Sequence, residues 1–328
     1  MINFKMMTAA AAVGVLGLTA PALAEIEIRI STAAPGGSPL TVAFEHIAEG
    51  MEAAYPDEID MSVHHSSSLF KQGTEFPALI RGNLEMASPV TFEIEQQLPK
   101  YGILGGAYLF RDSQHMIDVF RSDIGEQFYK DVEEKTGVII LDTAYLGTRT
   151  FNLTTVHDVS EPADLNGVKM RMPPGPAFQT LASALGATPV SMPITEVYLA
   201  LKTGAIDGQD NPTSLTRDWK FYEQTKQVIL TKHLIQPVFI AITKDTYDKL
   251  SVEQQTTLRA LTREAVDMEI EGTRADEASA IETFVEAGLT ITEVDTELFR
   301  KAVWEKYEST GLTDDWMPGL ADAIANVE

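Results

Sequence analysis

The sequence of 328 residues contains no cysteine, and this absence excludes several kinds of chemistry at once. Disulfide bonds, thiolate zinc sites, iron–sulfur clusters, cysteine nucleophiles and lipid anchors on cysteine all need that side chain. Basic residues are also scarce, because 25 Lys and Arg stand against 48 Asp and Glu, for a formal net charge of −23. This balance argues against binding to nucleic acids or anionic membrane surfaces, since both require clustered cations.

A membrane-spanning run is missing as well. The most apolar stretch, residues 9–18, is shorter than the roughly 20 residues that a bilayer requires. It follows Lys5 and is followed by Ala22-Leu23-Ala24, a small-x-small cleavage site, so residues 1–24 are predicted to be a secretory signal peptide. We therefore expect a mature protein that begins at Glu25 and is exported, without an anchor, to a bacterial periplasm.

What remains is an alternation of short strand-like runs and helix-like segments, which predicts a layered α/β fold. The predicted strands are 26–31, 61–66, 84–89, 138–145, 147–155, 167–172 and 235–243, and the predicted helices are 39–54, 74–81, 113–132, 177–185 and 195–203. The commonest architecture for such a series is an open sheet with helices on both faces.

The longest predicted element is a helix over residues 251–287. Ser251 and Gln254 have the spacing of a capping box at its start, and Gly288 follows its end. A continuous helix of this length would extend roughly 55 Å, which exceeds the diameter of one small domain. We therefore expect it to brace two lobes.

Arg171 lies near the end of a predicted strand, since the Pro173-Pro174-Gly175-Pro176 run follows it directly. Ligands of open α/β sheets bind at strand ends, which makes Arg171 a candidate ligand contact. The alternative is a solvated cation on an exposed strand face.

Arg149 shares strand parity with the apolar residues Phe151 and Leu153. A cation on an apolar face needs an anionic partner, because a buried unpaired charge is costly. Parity leaves two partners open: an internal Asp or Glu, or the carboxylate of a ligand held by the guanidinium fork.

Residues 207–212 read as a polar turn that ends at Pro212. Within it, the amide of Asn211 can both donate and accept hydrogen bonds, which suits a hydroxyl or carboxylate ligand. Ordinary turn chemistry is the alternative explanation for this residue.

These features occur in an order that resembles a known family. The motifs that carry the resemblance are Pro162-Ala163-Asp164-Leu165-Asn166-Gly167-Val168-Lys169-Met170-Arg171, Leu185-Gly186-Ala187-Thr188-Pro189, Glu196-Val197-Tyr198-Leu199-Ala200-Leu201-Lys202-Thr203-Gly204, Asp207-Gly208-Gln209-Asp210-Asn211-Pro212, Phe221-Tyr222-Glu223 and Thr231-Lys232-His233. Together they resemble the DctP-type substrate-binding proteins of TRAP transporters (tripartite ATP-independent periplasmic transporters). The resemblance covers nearly the whole mature chain and is densest over residues 147–233.

The resemblance implies a two-lobed periplasmic binding protein with a hinge. It assigns residues 25–146 and about 236–250 to lobe one, 147–235 to lobe two, and 251–328 to the long helix and a C-terminal segment that packs on both lobes. It further implies a monomer that needs no cofactor or metal, binds an organic acid by lobe closure, and delivers it to the membrane permease subunits of the transporter.

The resemblance also assigns roles to three residues of the predicted second lobe. Arg171 matches the arginine that pairs with the ligand carboxylate, Arg149 matches a second arginine near the ligand, and Asn211 matches an asparagine that closes over the carboxylate. One position departs from the family pattern, because Asp210 stands where a glutamate usually precedes that asparagine.

Lobe one departs from the sialic-acid-binding members of the family. Val90, and a position at or near Gln72, are taken to stand where those members carry a glutamate and an aspartate, which argues against sialic acid. Gln72, Ser88 and Thr91 are neutral candidates for contacts to ligand hydroxyls, or alternatively ordinary polar loop residues.

Two other functions compete with a TRAP receptor. An exported hydrolase is disfavoured, because the patterns G-x-S-x-G and H-E-x-x-H do not occur. A receptor for another transporter type or for a sensor system stays open. The ligand also stays open among C4-dicarboxylates, sugar acids, hydroxy acids, keto acids and sulfonates.

Overall fold

A computed structural model describes residues 25–327, so the predicted signal peptide lies outside the described residues. The strands are β1 (Ile26–Ser31), β2 (Ile59–His64), β3 (Met86–Ala87), β4 (Val138–Leu153), β5 (Lys169–Met172), β6 (Thr188–Ser191), β7 (Gly208–Pro212), β8 (Gln227–Thr243) and β9 (Thr290–Thr292). The helices are α1 (Pro39–Ala54), α2 (Glu75–Ile80), α3 (Thr91–Glu95), α4 (Ser113–Phe120), α5 (Asp123–Thr136), α6 (Pro176–Ala184), α7 (Ile194–Thr203), α8 (Thr213–Asp218), α9 (Lys244–Tyr247), α10 (Val252–Glu286), α11 (Thr296–Ser309) and α12 (Leu320–Ala325). No helix within the described range combines the length and apolar character needed to cross a membrane.

The predicted α/β fold is confirmed, and the strands form one mixed sheet. Its order is β2-β1-β3-β8-β4-β7-β5-β6, with β9 paired to β8. The pairs β1–β2, β1–β3, β5–β6 and β5–β7 are parallel, whereas β4 is antiparallel to both β7 and β8. We call the side of the sheet with β1–β3 lobe one and the side with β5–β7 lobe two.

The long strands β4 and β8 connect the two lobes. The sequence predicts two strands, 138–145 and 147–155, where the structure has the single strand β4. Gly147 caused the error, since it marks a register shift between Tyr145 and Gly147 and not a strand end. Its φ of +123° suits glycine, and a Cβ there would lie 2.6 Å from Pro212 Cβ. The predicted lobe boundaries near 146 and 236 stay a prediction.

Two predicted helices illustrate how capping fixes element ends. The range 113–132 contains two helices, α4 and α5, because Ser122 caps the second one by accepting a hydrogen bond from the Ile124 N–H. The long helix α10 is confirmed with its capping box: the Gln254 N–H donates to Ser251 Oγ, and the Ser251 N–H donates to Gln254 Oε1.

Helix α10 packs against α1, β4 and α8, and it carries two buried or largely buried carboxyl groups to the register shift in β4. Glu269 accepts a hydrogen bond of 3.0 Å from the Tyr145 N–H, and Glu277 accepts hydrogen bonds from the Thr148 N–H and the Tyr145 hydroxyl. The long helix thus satisfies backbone donors that lie where the ladder pairing of β4 is interrupted.

We predict that Glu269 makes the free energy of unfolding depend on pH. Burial raises the pKa of Glu269 to about 8, whereas an unfolded Glu titrates near about 4.3. Between these values the folded state holds a proton that the unfolded state has released, so stability falls as the pH rises, by roughly 1 kcal/mol per pH unit from this residue. Gln at this position does not titrate, so Glu269→Gln should make the free energy of unfolding in urea less dependent on pH between pH 5 and 8.

The exposed Glu282 on the same helix provides the matched control. Glu282→Gln should leave the wild-type pH profile unchanged. A Glu269→Gln profile as steep as that of the wild type would contradict the assignment.

Candidate functional site

Three charged side chains are buried on three adjacent strands at the junction of the lobes. Arg149 comes from β4, Asp210 from the neighbouring β7 and Arg171 from β5 beyond it. Their exposed fractions are 3%, 0% and 0% respectively. Charges that are fully removed from water need partners, so the hydrogen bonds of each group define what the site can do.

Arg149 has an internal anion as its partner. Its Nε donates to Asp210 Oδ1 at 2.7 Å, its Nη2 donates to the Asp210 carbonyl oxygen, and its Nη1 donates to Gln236 Oε1 at 3.0 Å. The guanidinium also lies over the ring of Phe178, 5.1 Å from the centroid. Of the two partners that strand parity left open, the structure provides the internal carboxylate, and a ligand contact by Arg149 stays a prediction.

Asp210 is held by a second partner, His233. The imidazole Nε2 lies 3.2 Å from Asp210 Oδ1, and its Nδ1 lies 2.8 Å from Thr231 Oγ1. Burial alone would raise the pKa of Asp210, but Arg149 and His233 outweigh it and hold the pKa below its ordinary value. Asp210 is therefore ionised and neutralises the charge of Arg149.

Arg171 lacks such a partner. Its Nη2 donates to Met192 O at 2.9 Å and to Gln72 Oε1 at 3.1 Å, and its Nε donates to Met192 O at 3.1 Å. Among the residues that the structure describes, no carboxylate lies within 4.0 Å of this guanidinium. Burial, together with the nearby charge of Arg149, lowers the pKa of Arg171 to about 9. The alternative of a solvated cation is wrong, and the cluster carries one uncompensated positive charge.

Asn211 is not in a turn, so that part of the sequence interpretation is wrong. Residues 208–212 form β7, paired on one side with β4 and on the other with β5. Asn211 is 2% exposed and its Nδ2 donates to Gln209 Oε1, while Gln209 is registered opposite Arg171. Gln209 thus connects the amide of Asn211 to the strand that carries Arg171. A contact between Asn211 and a ligand stays a prediction.

A narrow cavity of about 30 Å³, room for about one water molecule, lies between the lobes, so a ligand can occupy it only if the lobes move apart. Gln72, Ser88 and the acids Glu75 and Glu93 line it from lobe one, and Ile194 and Trp219 line it from lobe two. Gln72 Oε1 accepts hydrogen bonds from both Arg171 and the Ile194 N–H, at 3.1 and 3.0 Å. This residue links the cavity to Arg171 and joins the lobes across it.

The other two predicted lobe-one residues differ in position. Ser88 lines the cavity and donates to Thr32 Oγ1 at 2.7 Å. Thr91 is buried outside the cavity lining, with its hydroxyl facing Gly105, so the geometry gives no support to a ligand contact there.

Comparison with known proteins places this architecture in one family. The sequence model of the DctP family, described as bacterial extracellular solute-binding protein, family 7, matches residues 30–312. The chain belongs to the DctP family. It shares the two-lobed architecture of periplasmic solute-binding proteins of TRAP transporters, and the family membership suggested by its motifs is confirmed.

Three DctP-family proteins illustrate the similarity. A TRAP solute-binding protein from Roseobacter denitrificans, solved with bound 3-deoxy-D-manno-oct-2-ulosonic acid, is 35% identical, with 93% of this chain and 100% of that chain covered and a TM-score of 0.88. The sialic acid-binding protein SiaP of Vibrio cholerae is 28% identical over 80% of this chain and 81% of its own length. The C4-dicarboxylate-binding protein DctP of Rhodobacter capsulatus is 28% identical over 89% and 87%.

Sequence reasoning missed Glu75 and Glu93, two acids that line the cavity of this DctP-family chain. Both side chains are at most 2% exposed and both line the cavity. In the sequence Glu75 is only the acidic first-turn residue of a predicted helix, a common position for an acid. The two acids are 18 positions apart, so only the packing of α2 against α3 brings them together.

We predict that Asp210→Asn destabilises the fold by roughly 3–5 kcal/mol, because the substitution leaves Arg149 buried without its countercharge. Urea unfolding at pH 7 measures the loss. The control is Asp248→Asn, which removes an exposed ion pair with Lys244 and should cost under about 0.5 kcal/mol. Equal losses in the two variants would contradict the role given to Asp210.

Proposed function

We propose that this protein captures one organic acid between its lobes, with Arg171 as the main anchor for the ligand carboxylate. The observation that carries this proposal is the uncompensated charge of Arg171, a buried guanidinium with no carboxylate within 4.0 Å among the described residues. A single ligand carboxylate would neutralise the cluster of Arg149, Asp210 and Arg171 and accept a bidentate pair of hydrogen bonds.

The comparisons support this class of ligand. The Roseobacter protein holds an eight-carbon sugar acid, and the other two relatives are named for sialic acid and C4-dicarboxylates. All three ligands contain at least one carboxylate, although their remaining groups differ widely. What they share is therefore the group that Arg171 is suited to bind.

Lobe closure would connect binding to the shape of the protein. In this structure Gln72 of lobe one accepts a hydrogen bond from Arg171 of lobe two. A carboxylate oxygen of a ligand could take the place of Gln72 Oε1 as the acceptor. Closure removes water from the ion pair and strengthens it, and the ligand favours the closed state by its higher affinity for that state.

Other side chains would complete the site. The Trp219 indole N–H is buried and has no hydrogen-bond partner in the described range, so it can donate to a ligand at the cavity wall. Asn211 would donate to the carboxylate from β7, and Arg149 would orient the site through its pair with Asp210. Gln72, Ser88 and Thr91 would contact ligand hydroxyls, although Thr91 would first have to turn toward the cavity.

The proposal includes the cellular context that the resemblance implies. Residues 1–24 would direct export to the periplasm, where the mature protein would act as a monomer and deliver its ligand to the permease subunits of a TRAP transporter. It would bind and release the acid unchanged, without catalysis, cofactor or metal.

We predict that Arg171→Ala lowers ligand affinity by roughly 2–5 kcal/mol, because it removes one partner of a desolvated ion pair. Differential scanning with an organic-acid library that includes 3-deoxy-D-manno-oct-2-ulosonic acid identifies the ligand, and calorimetry then measures its affinity. The variant should still fold, since the substitution removes a charge that has no countercharge.

Arg29, on β1, provides the control for this experiment, because it pairs with Glu85 and does not line the cavity. Arg29→Ala should leave ligand affinity unchanged. Near-normal affinity in Arg171→Ala would contradict the proposal.

A further inference from the structure

We propose that Glu75 and Glu93 form an acid pair that selects a polyhydroxy monocarboxylate and rejects a second carboxylate. This inference rests on the proposed function, because it assumes that Arg171 fixes the ligand carboxylate. It narrows the ligand to acids with a chain of hydroxyl groups, such as aldonates, uronates and longer sugar acids.

The position of the pair carries the argument. Glu75 opens α2 and Glu93 lies in α3, and both reach the cavity from lobe one, whereas Arg171 belongs to lobe two. Gln72, three residues before Glu75, contacts Arg171 directly. Arg171 does not itself line the cavity, so a ligand held by Arg171 would reach the two acids by extending past Gln72.

The hydrogen bonds of the pair leave acceptor capacity for a ligand. Glu75 Oε1 accepts from Ser31 Oγ at 2.7 Å, and Glu93 accepts from the N–H groups of Phe76 and Val90, each at 3.3 Å. No hydrogen bond within the described range reaches Glu75 Oε2. Neither acid has a basic partner within 4.0 Å in that range.

The protonation of the two acids explains why they would bind the hydroxyl groups of a ligand. Burial, and then the charge of Glu93, raise the pKa of Glu75 well above its ordinary value, and burial raises the pKa of Glu93 to about 7. Both shifts run in the direction expected for two buried acids that share one proton. A protonated and an ionised carboxyl together offer one donor and several acceptors, which suits neutral hydroxyl groups.

The same charges would oppose a dicarboxylate. The cleft provides one uncompensated positive charge, at Arg171, and one ligand carboxylate uses it. A second carboxylate would meet the acid pair in a water-poor cavity, where like charges repel more strongly than in water. The ligand that balances both ends has one carboxylate and hydroxyl donors.

Matched acids that differ in one terminal group test this inference. Calorimetry at pH 7.5 would compare D-galactonate with galactarate, D-gluconate with D-glucarate, and D-erythronate with meso-tartrate, alongside 3-deoxy-D-manno-oct-2-ulosonic acid and the uronates. In each diacid a carboxylate replaces the terminal hydroxymethyl group. We expect the monoacid to bind at least tenfold more tightly than its diacid in every pair that binds.

A double variant locates the source of this preference. Glu75→Gln combined with Glu93→Gln removes both acids while keeping their size and should reduce the preference for the monoacid by about tenfold, whereas either single substitution leaves one carboxylate that still repels the diacid. The control is Glu85→Gln, an acid of lobe one that pairs with Arg29 outside the cavity lining and should leave the preference unchanged. Urea unfolding checks that each variant is folded, and the wild-type comparison stands without them.

Several results would overturn the inference. These are a diacid that binds the wild type as tightly as its monoacid, a preference that survives in the double variant, or a wild type that binds none of the polyhydroxy monoacids. If the diacid binds and Arg171→Ala abolishes that binding, only the inference about the acid pair fails. If ligand affinity survives Arg171→Ala, the proposed function itself fails.

Discussion

The buried ion pair between Arg149 and Asp210 is the interaction on which the rest of the site depends. It lets two guanidinium groups lie within the core of a sheet, because one carboxylate, supported by His233, neutralises one of them. Without Asp210, Arg149 and Arg171 would be two unpaired cations that repel each other in a buried site, which would strongly destabilise the fold. With it, the excess is limited to the single charge of Arg171, which one ligand carboxylate can balance.

This arrangement constrains the strands around it. Asp210 reaches Arg149 because β7 pairs with β4, and β7 is a buried strand in which three of the five residues, Gln209, Asp210 and Asn211, are polar. The strands β4 and β8 pass from one lobe to the other beside this cluster. The register shift at Gly147 and the carboxyl groups of α10 that bond to it lie on β4, the strand that also carries Arg149.

The sequence predicted those features of the fold and the site that depend on neighbouring residues in the chain, and missed those that depend on contacts between distant residues. Helix α10 was predictable from its capping box, and Arg171 was predictable as a candidate from the proline run that ends its strand. Strand β7 was not, because Asp, Asn, Gly and Pro are depleted from strands, and its pairing comes from neighbours distant in the chain. Glu75 and Glu93 were missed for the same reason, since Glu75 looks like an ordinary helical acid and Glu93 lies in no predicted element until α2 and α3 pack together.

The net charge of −23 and the binding of an acid are compatible because they act over different distances. Long-range repulsion from the acidic exterior is screened within about 8–10 Å at ordinary salt, so it affects mainly the rate of encounter. Affinity is decided inside the cleft, where water is scarce and each charge interacts more strongly. There Arg171 provides the positive charge while Glu75 and Glu93 line the cavity, so we expect these local charges, and not the overall composition, to decide which anion binds.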